Sequence, residues 1–248
     1  MAASWVWSIG GGILGLIVGS FLATITVRWP QGRSVVAGRS RCDSCGTTIA
    51  SRDLVPVVSH ILLRGRCRSC DAAIGSDHLR IELASGAIGA LSLAILPGAA
   101  GVALALMGWL LLASGWIDAR HLMLPDSLTL ALAILGLGVG GLVTGASLEA
   151  RMIGGVAAFG TLEAIRLLYL RLRGHDGMGG GDPKLLGAIG LWTGWTMLPF
   201  VLLAASLALL AIALATGRAS ERAHEYPLGT ALAAAGYGVA AAMAAHLV

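Results

Sequence analysis

Five stretches of this chain contain no Asp, Glu, Lys or Arg: residues 1–27, 83–117, 127–148, 185–217 and 226–248. A bilayer core about 30 Å thick takes one α-helix of about 20 apolar residues, and the helix must satisfy its own backbone hydrogen bonds. The first, third and fifth runs each match one such helix. The 83–117 run is long enough for two and contains Pro97-Gly98, a turn signal, so it divides into two spans. A further helix over 152–170 carries Glu163 and Arg166, three apart on one face, where they can pair. Only 12% of the 248 residues are charged and 56% are hydrophobic, which excludes a disordered chain and an ordinary water-soluble enzyme. The 36 glycines suit helices that approach closely in lipid.

Charge sets the expected orientation. Residues 28–80 hold nine Lys/Arg against four Asp/Glu, a net +5 that places them in the cytoplasm. Threading outward puts Arg120, Arg171, Arg173 and Lys184 inside. Arg218 and Arg222 join them only if 185–217 crosses twice, which leaves Arg151 as the outside basic residue. The expected fold is an all-α polytopic membrane protein with about eight transmembrane helices, the sixth and seventh short or tilted, and its N-terminus outside. Residues 1–28 form the first helix, 29–80 a cytoplasmic loop domain and 81–248 the membrane-embedded domain. The first run lacks a positive region ahead of it and is followed by Arg28, so it reads as an anchor and not a signal peptide. Gly11, Gly15 and Gly19 make two overlapping G-x-x-x-G steps, the pattern of a closely packed helix. No strand precedes them, which argues against a dinucleotide-binding turn.

All four cysteines lie in the loop, as Cys42-x2-Cys45 and Cys67-x2-Cys70. Two such knuckles aim four sulfurs at one point, the ligand spacing of a structural, four-thiolate zinc site. Arg41, Arg66 and Arg68 beside the ligands are expected to favour the thiolates and offset their charge. Iron is the competing metal, and a pair of disulfides the competing reading, which a reducing cytoplasm disfavours. With four protein ligands no coordination position is left for catalysis. His60 and His78 read as ordinary loop histidines.

Three aspartates sit where apolar helices end. Asp118 closes the third span, Asp126 opens the fourth after Leu124-Pro125, and Asp182 opens the sixth after Gly179-Gly180-Gly181. Carboxylates at such positions are functional candidates. Asp126 and Asp182 also suit helix N-caps, and Pro183 strengthens that for Asp182. Asp118 ends a helix, where the dipole disfavours a negative charge, so its alternative is a pair with Arg120 or His121. Two carboxylates brought together from different helices share one proton and can divide acid and base roles, as in an aspartic protease. The glycines before Asp182 give a substrate strand close access to backbone, or simply make a flexible loop.

Gly179-x-Gly181-Asp182 resembles the G-x-G-D motif of membrane aspartic proteases. Its continuation through Lys184-Leu185-Leu186, Gly190 and Gly194-Trp195 is similar to the bacterial type IV prepilin peptidases. So are Ile117 to Asp126, the two knuckles around Leu54-Val55-Pro56-Val57, and Gly19-Ser20-Phe21-Leu22 ahead of Arg28. The resemblance runs over nearly the whole chain. It implies that Asp118 and Asp182 are the catalytic pair of an inner-membrane peptidase. Such an enzyme cleaves short basic leaders from prepilins of type IV pili, or from pseudopilins of type II secretion, at the cytoplasmic face. It also implies N-methylation of the new terminus from S-adenosylmethionine, and no nucleic-acid partner. Departures are Ala23 where the family commonly has Asn, Pro183 in place of a bulkier residue, and a first knuckle without proline. The basic leader is expected to meet nearby acids, Asp126 or Glu82, with Gly179 and Gly181 beside the substrate backbone. The alternatives are a peptidase without methyl transfer, a transporter with a zinc-binding loop, and a non-enzymatic scaffold of a pilus or secretion complex.

Overall fold

The computed structural model describes residues 4–33, 40–42, 44–215 and 226–246. Among them regular structure is helical, with two isolated bridges and no strand. Among the described residues seven helices are long and apolar enough to cross a membrane, so this is a multi-pass membrane protein. The chain forms two compact units, Met1–Ala94 and Ile95–Val248.

The first unit holds α1 (Ser4–Arg28), the cysteine segment with the short α2 (Val58–Leu62), and α3 (Ser76–Ile95). The boundary expected at residue 81 falls inside α3, which belongs with this unit. The glycine stripe of α1 lies against α3 as its spacing predicts. A methyl group on Gly15 would collide with the Ser85 carbonyl, and one on Gly19 would lie 2.8 Å from Glu82 Cα. Ser8 Oγ adds a hydrogen bond to the Ala90 carbonyl at 3.2 Å.

The second unit contains α4 (Ala99–His121), α5 (Asp126–Thr144), α6 (Leu148–Arg173), α7 (Gly181–Thr193), α8 (Leu198–Ala215) and α9 (Leu228–Ala245). The break between α3 and α4 falls at Pro97-Gly98, and Gly98 takes a φ of +80°, open to glycine at little cost. The 185–217 run is also broken as expected: Gly194 at φ +78° and a 3₁₀ turn over Trp195–Met197 separate α7 from α8. Arg218 and Arg222 lie outside the described residues. With 13 residues, α7 is about 20 Å long, too short for a 30 Å core.

α7 packs against α5, α6 and α9. Trp192 is fully buried and its Nε1 donates to the Leu132 carbonyl of α5 at 2.9 Å. Gly136 makes room for that indole, since a methyl group there would lie 2.8 Å from Trp192 Cδ1. On the opposite side the backbones of α6 and α7 meet directly: a methyl group on Gly190 would lie 2.7 Å from the Gly154 carbonyl carbon. Arg151, the residue expected outside, is buried, and its Nη1 donates to the Gly136 carbonyl at 2.5 Å. Leu203, Leu207, Leu210 and Leu214 leave the outer face of α8 apolar and exposed, as lipid contact requires.

The α6–α7 contact leaves no space for a side chain. Gly190→Ala should destabilise the second unit by about 1–3 kcal/mol, the usual penalty of overpacking. Gly138→Ala, with nothing within 4 Å of the added methyl, should have little effect. Thermal unfolding of both variants in detergent checks the pair.

Candidate active site

The two carboxylates picked out in the sequence are both buried in the second unit: Asp118 is 5% exposed and Asp182 7%. Asp118 lies in the last turn of α4, where carbonyl oxygens point toward it. The N-terminus of α9 offsets them. The Thr230 N–H donates to Asp118 Oδ2 at 2.7 Å, and Thr230 Oγ1 bridges that oxygen (3.1 Å) and the Gly115 carbonyl (2.8 Å). Asp118 therefore caps a helix distant in sequence, and no pair with Arg120 or His121 accounts for it. Gly229 allows this approach, because a methyl group there would lie 3.0 Å from Asp118 Cγ.

Asp182 lies in the first turn of α7, which opens at Gly181, and its side chain makes no cap. Asp126 likewise leaves the N-terminus of α5 uncapped and instead receives Lys184 Nζ at 2.6 Å. Gly181, next to Asp182, and Gly229, against Asp118, share one neighbour, so the fold brings the α4 and α7 carboxylates to the same end of the unit. Neither makes an ion pair among the described residues. Leu124 packs between the two helix starts that position them: a methyl group on Gly181 would lie 2.7 Å from its Cβ, and one on Gly229 2.8 Å from its Cδ1.

The loop before Asp182 is tied down by Arg166. Its guanidinium binds Glu163 at 2.9 Å, the pair expected on α6, and Asp176 at 2.6 Å. It also lies beneath Gly180. Gly179 is exposed, with Asp182 the nearest side chain to the position of a Cβ.

In the first unit the four cysteines are free thiols whose sulfurs all lie within 4.8 Å of one another. Cys42 and Cys70 are 3.8 Å apart, and a Zn–S bond of about 2.3 Å implies a tetrahedral edge of roughly 3.8 Å. Donor set and spacing fit one four-thiolate zinc ion. The knuckles repeat each other at an offset of 25 residues. Cys42 N–H donates to Thr47 and Cys67 N–H to Ala72, at 3.0 and 2.9 Å. Gly46 N–H returns to Cys42 and Asp71 N–H to Cys67, at 2.9 and 3.0 Å. Gly46 and Asp71 both adopt positive φ, +71° and +58°.

The arginines beside the ligands are engaged by carboxylates. Arg66 reaches Asp71 at 3.1 Å, and Arg68 clamps both oxygens of Asp53, at 2.7 and 3.0 Å. That guanidinium holds the Asp53 carboxyl below the usual range. The thiols are tuned by nearer groups. The Thr47 hydroxyl, 3.3 Å from Cys45 Sγ, holds that thiol at about 6. The Ser69 N–H lowers Cys67. Cys70 is pushed up to about 12: the Ala72 N–H favours its thiolate, but the adjacent Cys45 sulfur and burial outweigh it. A cation among the sulfurs removes that repulsion.

Residues 13–96 match the bacterial peptidase A24 N-terminal domain, and residues 104–214 match the type IV leader peptidase family. A prepilin leader peptidase/N-methyltransferase of Burkholderia pseudomallei (strain 1026b) is 42% identical over 253 residues, 90% of this chain and 82% of the relative. The chain belongs to the prepilin leader peptidase/N-methyltransferase family. A Pseudomonas aeruginosa member is 35% identical over 260 residues, covering 91% of this chain and 87% of its own. One from Dichelobacter nodosus is 32% identical over 254 residues, with 91% and 88% covered. No solved structure matches.

The division between the two matched family domains coincides with the division between the compact units. Within this prepilin peptidase fold, sequence reasoning found both carboxylates and all four thiols but missed three partners. Thr230 holds Asp118, Leu124 spaces the two helix starts, and Asp176 completes the Arg166 anchor. Only the Glu163–Arg166 spacing gave a readable signal for any of them. Glu82, expected to meet the substrate leader, is buried in the first unit, where its Oε2 accepts the Val57 N–H at 2.8 Å.

The thiolate is the reactive form of cysteine. In reduced, zinc-stripped protein at pH 7, Cys45 should therefore alkylate first and Cys70 last. The Cys45 rate should rise as pH climbs through about 6. Peptide mass spectrometry after iodoacetamide treatment between pH 5 and 9 reads the order; equal rates would contradict it. Elemental analysis of the untreated protein should find about one zinc per chain.

Proposed function

We propose that this chain removes the short basic leader from type IV prepilins or type II secretion pseudopilins, at the cytoplasmic face of the bacterial inner membrane. It then N-methylates the exposed terminus. The observation that carries the peptidase reading is the pair of buried carboxylates, Asp118 and Asp182, contributed by different helices of one unit and lacking basic partners among the described residues. The net +5 of residues 28–80, with Arg120, Arg171, Arg173 and Lys184 near the helix ends that carry the acids, supports a cytoplasmic site with the N-terminus outside.

Asp118 serves as the base, because the Thr230 N–H and the positive end of α9 hold its negative charge in place. It takes a proton from water as the water oxygen adds to the scissile carbonyl carbon. Asp182 in its acid form gives a proton to the carbonyl oxygen. Asp118 then returns its proton to the leaving nitrogen, the C–N bond breaks, and Asp182 takes a hydroxyl proton back as the carbonyl re-forms, which restores the shared-proton pair. Gly179 and Gly181 leave backbone accessible to the substrate strand, and Arg166 keeps their loop in register. Asp126, exposed beside Lys184, meets the basic leader. Cys42, Cys45, Cys67 and Cys70 would hold a zinc ion whose role would be structural, tying the two knuckles together. S-adenosylmethionine supplies an electrophilic methyl group; the protein has to hold the new terminus as its neutral amine, in line with that group.

Asp118→Asn and Asp182→Asn should each abolish leader removal from a prepilin in detergent. In Asp118→Asn the side-chain amide oxygen can still accept from the Thr230 N–H, so that variant should remain folded and zinc-loaded. Asp126→Lys should raise KM more than it lowers kcat, the mark of lost uniform binding. On pre-cleaved pilin, Asp118→Asn should still incorporate radiolabelled methyl. No incorporation by the unsubstituted protein would leave a peptidase alone, and normal cleavage by either Asn variant would overturn the dyad.

A further inference from the structure

The first unit contains a cavity of about 410 Å³, within the range of roughly 300–1,000 Å³ typical of small-molecule sites. An ion among four sulfurs takes up less than a water molecule's share of about 30 Å³, so the zinc site does not account for it. Its wall runs from Ser20, Thr24 and Arg28 of α1, past Arg52 and Leu63, to Glu82 of α3. Cys42 and Cys67 line it as well.

Glu82 is the group that needs explaining. It is 7% exposed, only its Oε2 receives a hydrogen bond, and it makes no ion pair among the described residues. A buried carboxylate without a cation is costly. Arg28 and Arg52 line the same cavity and also make no ion pair among the described residues. Asp53 and Arg68 also line the cavity but satisfy each other. The remaining carboxylate, Glu82, and the guanidinium groups of Arg28 and Arg52 are complementary to an α-amino acid, whose ammonium and carboxylate lie on adjacent carbons. The Ser20 and Thr24 hydroxyls suit sugar hydroxyls, and Leu63 offers an apolar wall.

We propose that this cavity is the site for S-adenosylmethionine, with Glu82 holding the ammonium of its methionine end and Arg28 and Arg52 its carboxylate. The inference rests on the methyltransferase reading above and names where the donor binds. It assigns Glu82 to the methyl donor and not to the prepilin leader.

Radiolabelled S-adenosylmethionine, photo-cross-linked to the full zinc-loaded protein in detergent, should label peptides within residues 20–28 or 50–82. Calorimetry should show Glu82→Gln, which keeps an acceptor for the Val57 N–H and removes the charge, weakening binding by roughly tenfold or more, the worth of one charge-assisted hydrogen bond. Arg28→Ala with Arg52→Ala should weaken it similarly. Zinc content equal to that of the unsubstituted protein shows that the unit is intact. Label confined to residues 95–248 overturns the proposal, even where pre-cleaved pilin is methylated normally and the functional reading stands. So does an unchanged Kd in Glu82→Gln, with or without a raised KM for prepilin. Displacement by inorganic phosphate as effective as by S-adenosylhomocysteine would instead mark a general anion or lipid-headgroup site and overturn it too. Absence of both binding and methyl transfer removes the proposal together with the second activity, while leader removal tests the peptidase separately.

Discussion

Thirteen residues of helix cannot span a bilayer core, so α7 has to be held by its neighbours. In hydrocarbon there is little hydrophobic gain from bringing helices together; close van der Waals contact and hydrogen bonds do that work. The second unit meets this need by deleting side chains on three sides of α7. Gly136 admits the Trp192 indole from α5, Gly154 and Gly190 bring two backbones into contact, and Gly236 of α9 lies against Ile189. Packed in this way, α7 presents Asp182 from its first turn with little freedom to move.

The other carboxylate depends on a different balance. At the end of α4 it faces the negative pole of its own helix, and the N-terminus of α9 supplies the opposite pole. One Thr230 N–H and one helix end thus make a buried charge tolerable without a basic residue that would neutralise it. A lysine or arginine in the same place would stabilise the charge too well for a group that must exchange protons. Arg166 supplies its cation one step away, to the loop and not to the acid.

Much of this was legible in the sequence because each signal was local. Charge-free runs gave the helices, Pro97-Gly98 gave one break and the charge balance around 185–217 the other, and paired Cys-x2-Cys knuckles gave the thiol cluster. The acids at helix ends were equally visible, but their partners were not. Asp118 and Thr230 are 112 positions apart, and no periodicity links them. The cap readings of Asp126 and Asp182 failed too: Asp126 answers to Lys184, contributed by another helix, and Asp182 lies at the end of the unit that carries Asp118. Arg66 and Arg68 were read as thiolate partners from adjacency alone, whereas Asp71 and Asp53 compete for them at shorter range. The boundary at residue 81 was drawn where charge disappears, although α3 begins a turn earlier and packs on α1.

The 25-residue repeat of the knuckles has a consequence for how that segment came to exist and how it fails. Each half supplies two sulfurs and one left-handed residue, and neither half can complete a coordination sphere alone. Duplicating a half-site makes a whole one, which is an easy evolutionary step because the second copy needs no new geometry. Both ends of the duplicated segment are also anchored, by α1 before it and α3 after it. Its disordered state is therefore a tethered loop with much less entropy than a free chain. Each knuckle meets the other at a high effective concentration even when the ion has left. Metal loss should then behave as a reversible local melting that the bilayer-held helices template back, provided that both knuckles are intact.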